Sequence, residues 1–183
     1  YFTVPSHYQT LGNNGLAAYS FIFRPFDKIG WDAGFHAFDV YRFNLEETKI
    51  YKTNRPFTNM GYELGSGKEQ VIQAMHIQNP KPNISFGLDY RVITSPGFFI
   101  TQNASHNNIR LFGNYEGRRK RDRGTVVLLN NKIRASENGG LENTADLNDP
   151  AKTDRFSINV NLGNAAPFAP NPFVTSIYTG NTY

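Results

Sequence analysis

The chain has no cysteine among its 183 residues, so neither disulfides nor thiolate metal sites hold it together. It has no long apolar run. The longest are short, such as 126–129 (Val-Val-Leu-Leu) and 98–100 (Phe-Phe-Ile). A spanning helix needs about 20 apolar residues in a row, so none is expected. That shortfall does not exclude a membrane, because a spanning strand needs only about 9–11 residues, half of them polar. Leucine and alanine do not dominate, which disfavours a helical protein, whereas asparagine, glycine and proline are plentiful and aromatics reach 14%. Positive charge spread over a face is lacking too. The net charge is +4, and Arg118, Arg119, Lys120, Arg121 and Arg123 against Asp122 account for all of it. A nucleic-acid binder spreads such charge and interleaves aromatics. This cluster falls between two strand patterns and reads as a solvated turn.

What is present is alternation. Ile84, Phe86, Leu88, Tyr90 and Val92 alternate with Ser85, Gly87, Asp89 and Arg91. A period of two means a pleated strand with one apolar and one polar face. Ile109, Leu111 and Tyr115 alternate with Arg110, Asn114 and Glu116, and Met60, Tyr62 and Leu64 with Asn59, Gly61 and Glu63. Phe156, Ile158, Val160 and Leu162 alternate with Ser157, Asn159 and Asn161. The spacing predicts strands near 57–65, 69–79, 82–94, 105–117, 123–135, 154–164 and 173–179. Weaker patterns predict short strands at 18–23, 33–43 and 47–53. The stretches 82–94, 105–117 and 123–135 are about twice the usual ~5–6 residues of a globular strand and match a tilted membrane strand. Gly65-Ser66-Gly67 and the basic turn read as tight connections, while 95–104 and 136–153 read as long loops. The short link at 79–82 breaks that alternation. Mid-strand charges at Asp89, Arg91, Arg110 and Lys132 fall on the polar faces.

Sites for chemistry are not apparent. Residues 61–68 (GYELGSGK) resemble a phosphate loop only faintly, since the motif's first glycine is Tyr62 and Glu69 follows the lysine. His7, His36, His76 and His106 have no metal-ligand spacing, no Gly-x-Ser-x-Gly elbow occurs, and adjacent Glu46 and Glu47 point to opposite faces of a strand. The acidic loop from Glu137 to Asp149 lacks the ordered spacing of a calcium loop. No catalytic, cofactor or metal residues are assigned, and the chain is expected not to be an enzyme.

Specific strings then matter. LGNNGLAAYS at 11–20, GFHAFDVYRF at 34–43, RPFTNMGYELGSGKEQ at 55–70, HIQNPKPNISFGLDYRVITSPG at 76–97, HNNIRLFGNY at 106–115 and SENGG at 136–140 resemble the putative porin family of Bacteroidetes outer membranes. The match runs in order over roughly 11–165. The resemblance implies an all-β, antiparallel, up-and-down transmembrane β-barrel in the bacterial outer membrane, with tight periplasmic turns, longer surface loops and no cofactor. Family members are longer, so the chain is expected to carry an incomplete set of strands, unstable alone in water. Residues 1–54 are read as a segment with short strands leading into the barrel, and 55–183 as consecutive barrel strands. Ile84, Phe86, Leu88, Tyr90 and Val92 are expected to face lipid. Asp89, Arg91, Arg110, Asn114, Glu116, Asn159 and Asn161 are expected to face the lumen, where they would tune passive diffusion of small polar solutes. Two other readings stand beside this one. A non-conducting barrel would serve as a structural or accessory subunit with outer-membrane or periplasmic partners. A soluble sugar-binding β-sandwich would bury the apolar stripes in its core.

Overall fold

Strand formation follows the alternation wherever it is long. The computed structural model describes residues 4–23, 25, 30–31, 34–117, 121–162 and 175–182. The short strands β1 (Tyr8–Thr10) and β2 (Ala18–Ser20) pair with each other. The strands β3 (Phe57–Leu64), β4 (Gln70–Lys81), β5 (Ile84–Ser95), β6 (Ala104–Glu116), β7 (Arg123–Ser136) and β8 (Thr175–Thr182) form one antiparallel meander in sequence order. The described residues contain no α-helix, only 3-10 turns. Among the described residues, no helix is long and apolar enough to cross a membrane. The chain is therefore all-β and antiparallel.

The connections fall into two classes by sheet end. Pro82-Asn83 and residues 117–122 link strands at one end, the first beside a register shift between Gln78 and Lys81. Residues 65–69, 96–103 and 137–174 link them at the other. The Gly-Ser-Gly turn thus shares an end with the long loops, and 82–83 belongs with the basic turn. The short link at 82–83 therefore keeps the pattern, and the tight Gly-Ser-Gly turn at the long-loop end is the connection that breaks it. Arg118, Arg119 and Lys120 lie outside the described residues.

Three expected strands do not form. Within 33–43, Asp39 accepts from Arg42 at 3.0 Å, and its carboxylate lies 2.7 Å from the His36 ring. These contacts three residues apart close a 3-10 turn over Asp39–Tyr41 instead of an extended run. The Thr48 amide bonds to the Leu45 carbonyl, turning the chain where 47–53 was expected to extend. Within 154–162, the Asp154 side chain accepts from the Phe156 amide at 3.0 Å and nucleates the turn Arg155–Ser157. Such side-chain bonds compete with a sheet ladder. Among the described residues of this stretch, one isolated bridge forms, Val160 to Leu141.

The core lies on one face of the large sheet. Leu16, Ala18, Phe38 and Tyr41 from the N-terminal segment pack against Val71, Ile93, Ala104, Ile133 and Ala135. Burying side chains the size of Leu16 and Phe38 stabilises by about 1.5–3 kcal/mol each. We call the covered surface the inner face. Among the described residues, no layer covers the opposite, outer face.

Candidate functional site

The inner face is built in rows that register across strands. Gly61, Gln73, Arg91, Asn108 and Asn131 form one row over β3 to β7, and Asn59, Met75, Asp89, Arg110 and Leu129 the next. A row in the direction of the long loops, Ile93 joins His106 and Ile133. The period of two that makes the strands therefore gathers their polar positions into a band.

The N-terminal segment runs along this face from end to end. Near the long loops, the Asn13 amide donates to Ser95 Oγ at 2.7 Å, and Ser95 in turn donates to Glu69 at 2.8 Å. Buried His106 donates from Nε2 to the Gly15 carbonyl at 2.6 Å. A Cβ on Gly15 would meet the Ala104 Cβ at 2.9 Å and the His106 ring at 3.0 Å, and its φ is +90°, so only glycine suits this approach. Midway, the Tyr41 carbonyl accepts from Arg91 at 2.6 Å and from Asn108 at 2.8 Å. Asn131 then pairs with Phe43 as a strand would. Its Oδ1 accepts from the Phe43 amide at 2.9 Å and its Nδ2 donates to the Phe43 carbonyl at 3.0 Å. All three wall residues belong to the same row and hold backbone atoms of residues 41–43. The Phe43 ring lies against the guanidinium groups of Arg91 and Arg110, 4.6 and 4.7 Å from the ring centre. Near the short turns, Tyr51 meets Phe112, and Lys52 pairs with Glu116 at 2.5 Å. Burial raises the Tyr41 hydroxyl to about 12.

The predicted residues take definite places. Asp89, Arg91, Arg110, Asn114 and Glu116 all occupy inner-face positions. Asp89, Arg91 and Asn114 are buried there, not open to water. Asp89 accepts from Arg110 Nε at 2.8 Å and also from its Nη2, so these two charges compensate each other directly across β5 and β6. Asn159 and Asn161 are corrected: they sit in the loop after β7. There the Asn159 carbonyl accepts from the Glu142 amide, and the Asn161 amide bonds to the Gly140 carbonyl. They line no strand. Lys132 is corrected too. It registers with Asn107 and Val92, on the outer face. Phe112 points inward, its ring over Gly87.

Ile84, Phe86, Leu88, Tyr90 and Val92 occupy outer-face positions, where Leu88 registers with Leu111, Tyr90 with Ala74 and Ile109, and Val92 with Ile72. Met60 is 75% exposed, Val126 63% and Leu128 54%. A soluble monomer rarely leaves so continuous an apolar surface bare. The band crosses the sheet obliquely. One row runs Tyr62, Ile72, Val92, Asn107, Lys132, from apolar to charged. Another runs Gln78, Phe86, Gly113, Val126, from polar to apolar. Among the described residues, no group of three or more His, Cys, Asp or Glu could hold a metal ion.

A family model described as putative porin matches residues 4–171. The chain belongs to the putative porin family. That match covers the N-terminal segment and β3 to β7 alike. Neither a curated protein nor a solved structure matches this porin-family chain.

The role of the N-terminal segment was not read from the sequence, yet a signal existed. Near the long loops the polar register of the strands turns apolar, at Ile93, Ile133 and Ala135. A strand end that is apolar on its inner register needs a cover there.

Proposed function

We propose that this chain forms part of the wall, and the filling, of an outer-membrane β-barrel of the Bacteroidetes type. Further strands of a longer polypeptide complete the ring, and the barrel passes small polar solutes by diffusion. The oblique apolar band on the outer face carries this reading. In a barrel, strands tilt by about 35–45°, lie about 4.8 Å apart and rise about 3.3 Å per residue, so a horizontal lipid band slides by about 1–1.5 residues per strand. The band centre moves from the level of Val92, where Tyr62 registers, to midway between Phe86 and Leu88, where Val126 and Leu128 register. That is five residues over four strand steps, inside the expected range. A soluble sugar-binding sandwich would cover these stripes with an opposing sheet. Here the packed layer lies on the polar register instead. Lipid also explains why the sheet must close, since no water is available to satisfy an open edge. No catalytic chemistry enters this reading.

A second reading is favoured by one observation, the N-terminal segment along the inner face. A barrel filled this way could serve as a non-conducting subunit with outer-membrane or periplasmic partners. Planar-bilayer recording of the full-length protein separates the two. Diffusive transport predicts stepwise ohmic conductance. Silent insertion, with the protein fractionating to the outer membrane, would overturn the transport reading and leave the structural one.

A further inference from the structure

The row that grips the N-terminal segment is only partly occupied by it. Over β5 to β7, Arg91, Asn108 and Asn131 hold residues 41–43. The same row continues over β4 and β3 as Gln73 and Gly61, where no described residue of the segment is hydrogen-bonded to it. An open cleft of about 290 Å³ lies at this level, lined among others by Phe43, Asn59, Gln73, Met75, Asp89 and Arg91. Five of these six come from the wall and belong to the two adjoining mid-strand rows. The sixth, Phe43, is contributed by the segment. The cleft is therefore bounded on one side by wall strands and on the other by the covering segment, midway between the two ends of the sheet.

We infer that this cleft is the pore's constriction, and that Phe43, seated by Asn131 and facing Gly61 and Gln73 across the cleft, sets which solutes pass. The inference rests on the transport reading above. The chemistry of the rim indicates the class of solute. Asn59 and Gln73 offer both donors and acceptors. Asp89 is satisfied by Arg110, so it presents no free negative charge. Arg91 is held by the Tyr41 carbonyl and the Phe43 ring, and Phe43 and Met75 supply apolar walls. Such a rim suits small hydrogen-bonding solutes. Gly61 has no side chain, which leaves the gap across from Phe43 open. A fixed apolar wedge of this kind limits size, while the amide groups replace part of a passing solute's hydration.

The test is unit conductance and reversal potential of the full-length protein in planar bilayers under a salt gradient. Phe43→Ala removes the wedge and is expected to raise unit conductance. Gly61→Leu fills the gap and is expected to lower it. Gln73→Glu is expected to move the reversal potential toward cation preference. Val126→Leu, on the outer face, serves as the reference and should match the unaltered channel. Channels that conduct but show all three inner variants equal to the reference would overturn the constriction while leaving the transport reading intact. Absence of channels in the unaltered protein would overturn the transport reading itself, and the constriction with it. A variant that does not insert is replaced by the smaller steps Phe43→Leu and Gly61→Ala, which must shift conductance in the same opposite directions or the constriction is overturned.

Discussion

Replacing Asn131 by leucine keeps the four-atom branched skeleton of the side chain and removes both hydrogen bonds to Phe43. Asn131 is 2% exposed, and among the described residues no other group bonds the Phe43 amide and carbonyl that it serves. Each buried backbone group left unsatisfied costs about 1–3 kcal/mol. Two such groups, partly relieved by water entering from the neighbouring cleft, give about 2–4 kcal/mol of destabilisation confined to the 41–43 seat. The β-ladders of β6 and β7 are backbone-bonded and should hold. Local opening of the segment therefore becomes about 30- to 1,000-fold more frequent, since 1.4 kcal/mol is a factor of ten. The assay is hydrogen exchange followed by mass spectrometry on the full-length protein in detergent. Peptides covering 38–45 should exchange faster in Asn131→Leu, while those covering β6 should not. Unchanged exchange over 38–45 would show that the segment is not held by the row. Equal acceleration throughout would show that the wall and the segment are one cooperative unit and refute the local seat.

Three further outcomes follow from the same geometry. Gly87→Ala would place a Cβ 2.1 Å from the Phe112 ring, whereas Gly113→Ala on the outer face meets nothing within 4 Å; urea titration should give a loss of about 1–3 kcal/mol for the first and little for the second, and Phe112→Leu should rescue the first. Leu88→Arg at the centre of the apolar band should cost about 2–4 kcal/mol in folding into vesicles, while Asn130→Arg, beyond the band on β7, should cost about 0–1, so equal costs would count against a lipid band. Tyr41 ionises at about 12 when folded, against an ordinary 10.0. The raised value means its stabilising contribution is complete below pH 10 and is lost as pH rises from 10 toward 12, so Tyr41→Phe should reduce the alkaline loss of stability measured by chemical unfolding over that window.

How much was legible in the sequence divides by element. Strands β3 to β7 were visible because their alternation runs long and one register is apolar, so a one-residue slip would reverse both faces. The outer positions of β5 followed from period two alone. The N-terminal segment was not legible, because its function depends on backbone carbonyls at Gly15 and Tyr41 that no side-chain pattern announces. Its partners were partly visible. Arg91 stood out as a charge in mid-strand, but nothing local marked it as a clamp and not a water-facing lumen group. Asn159 and Asn161 were misplaced because alternation over Phe156 to Leu162 also suits a loop. There Ile158 and Val160 turn into the protein while Phe156 and Leu162 stay exposed, once the Asp154 cap breaks the extension. Lys132 was misread for a related reason. The apolar register of β7 changes faces along its length, with Val126 and Leu128 outside but Leu129, Ile133 and Ala135 inside.

The absence of cysteine makes the central claim directly measurable. Single cysteines at Met60, Leu88, Leu111 and Leu128, and at Asn107 and Lys132, can each carry a nitroxide in the full-length protein reconstituted into vesicles. Collisions with oxygen report hydrocarbon, and collisions with a water-soluble nickel chelate report solvent. The account predicts oxygen-dominated accessibility at the first four and chelate-dominated accessibility at the last two, with the boundary running obliquely across β3 to β7. Chelate-dominated or protein-immobilised labels at Leu88, Leu111 and Leu128 would contradict it.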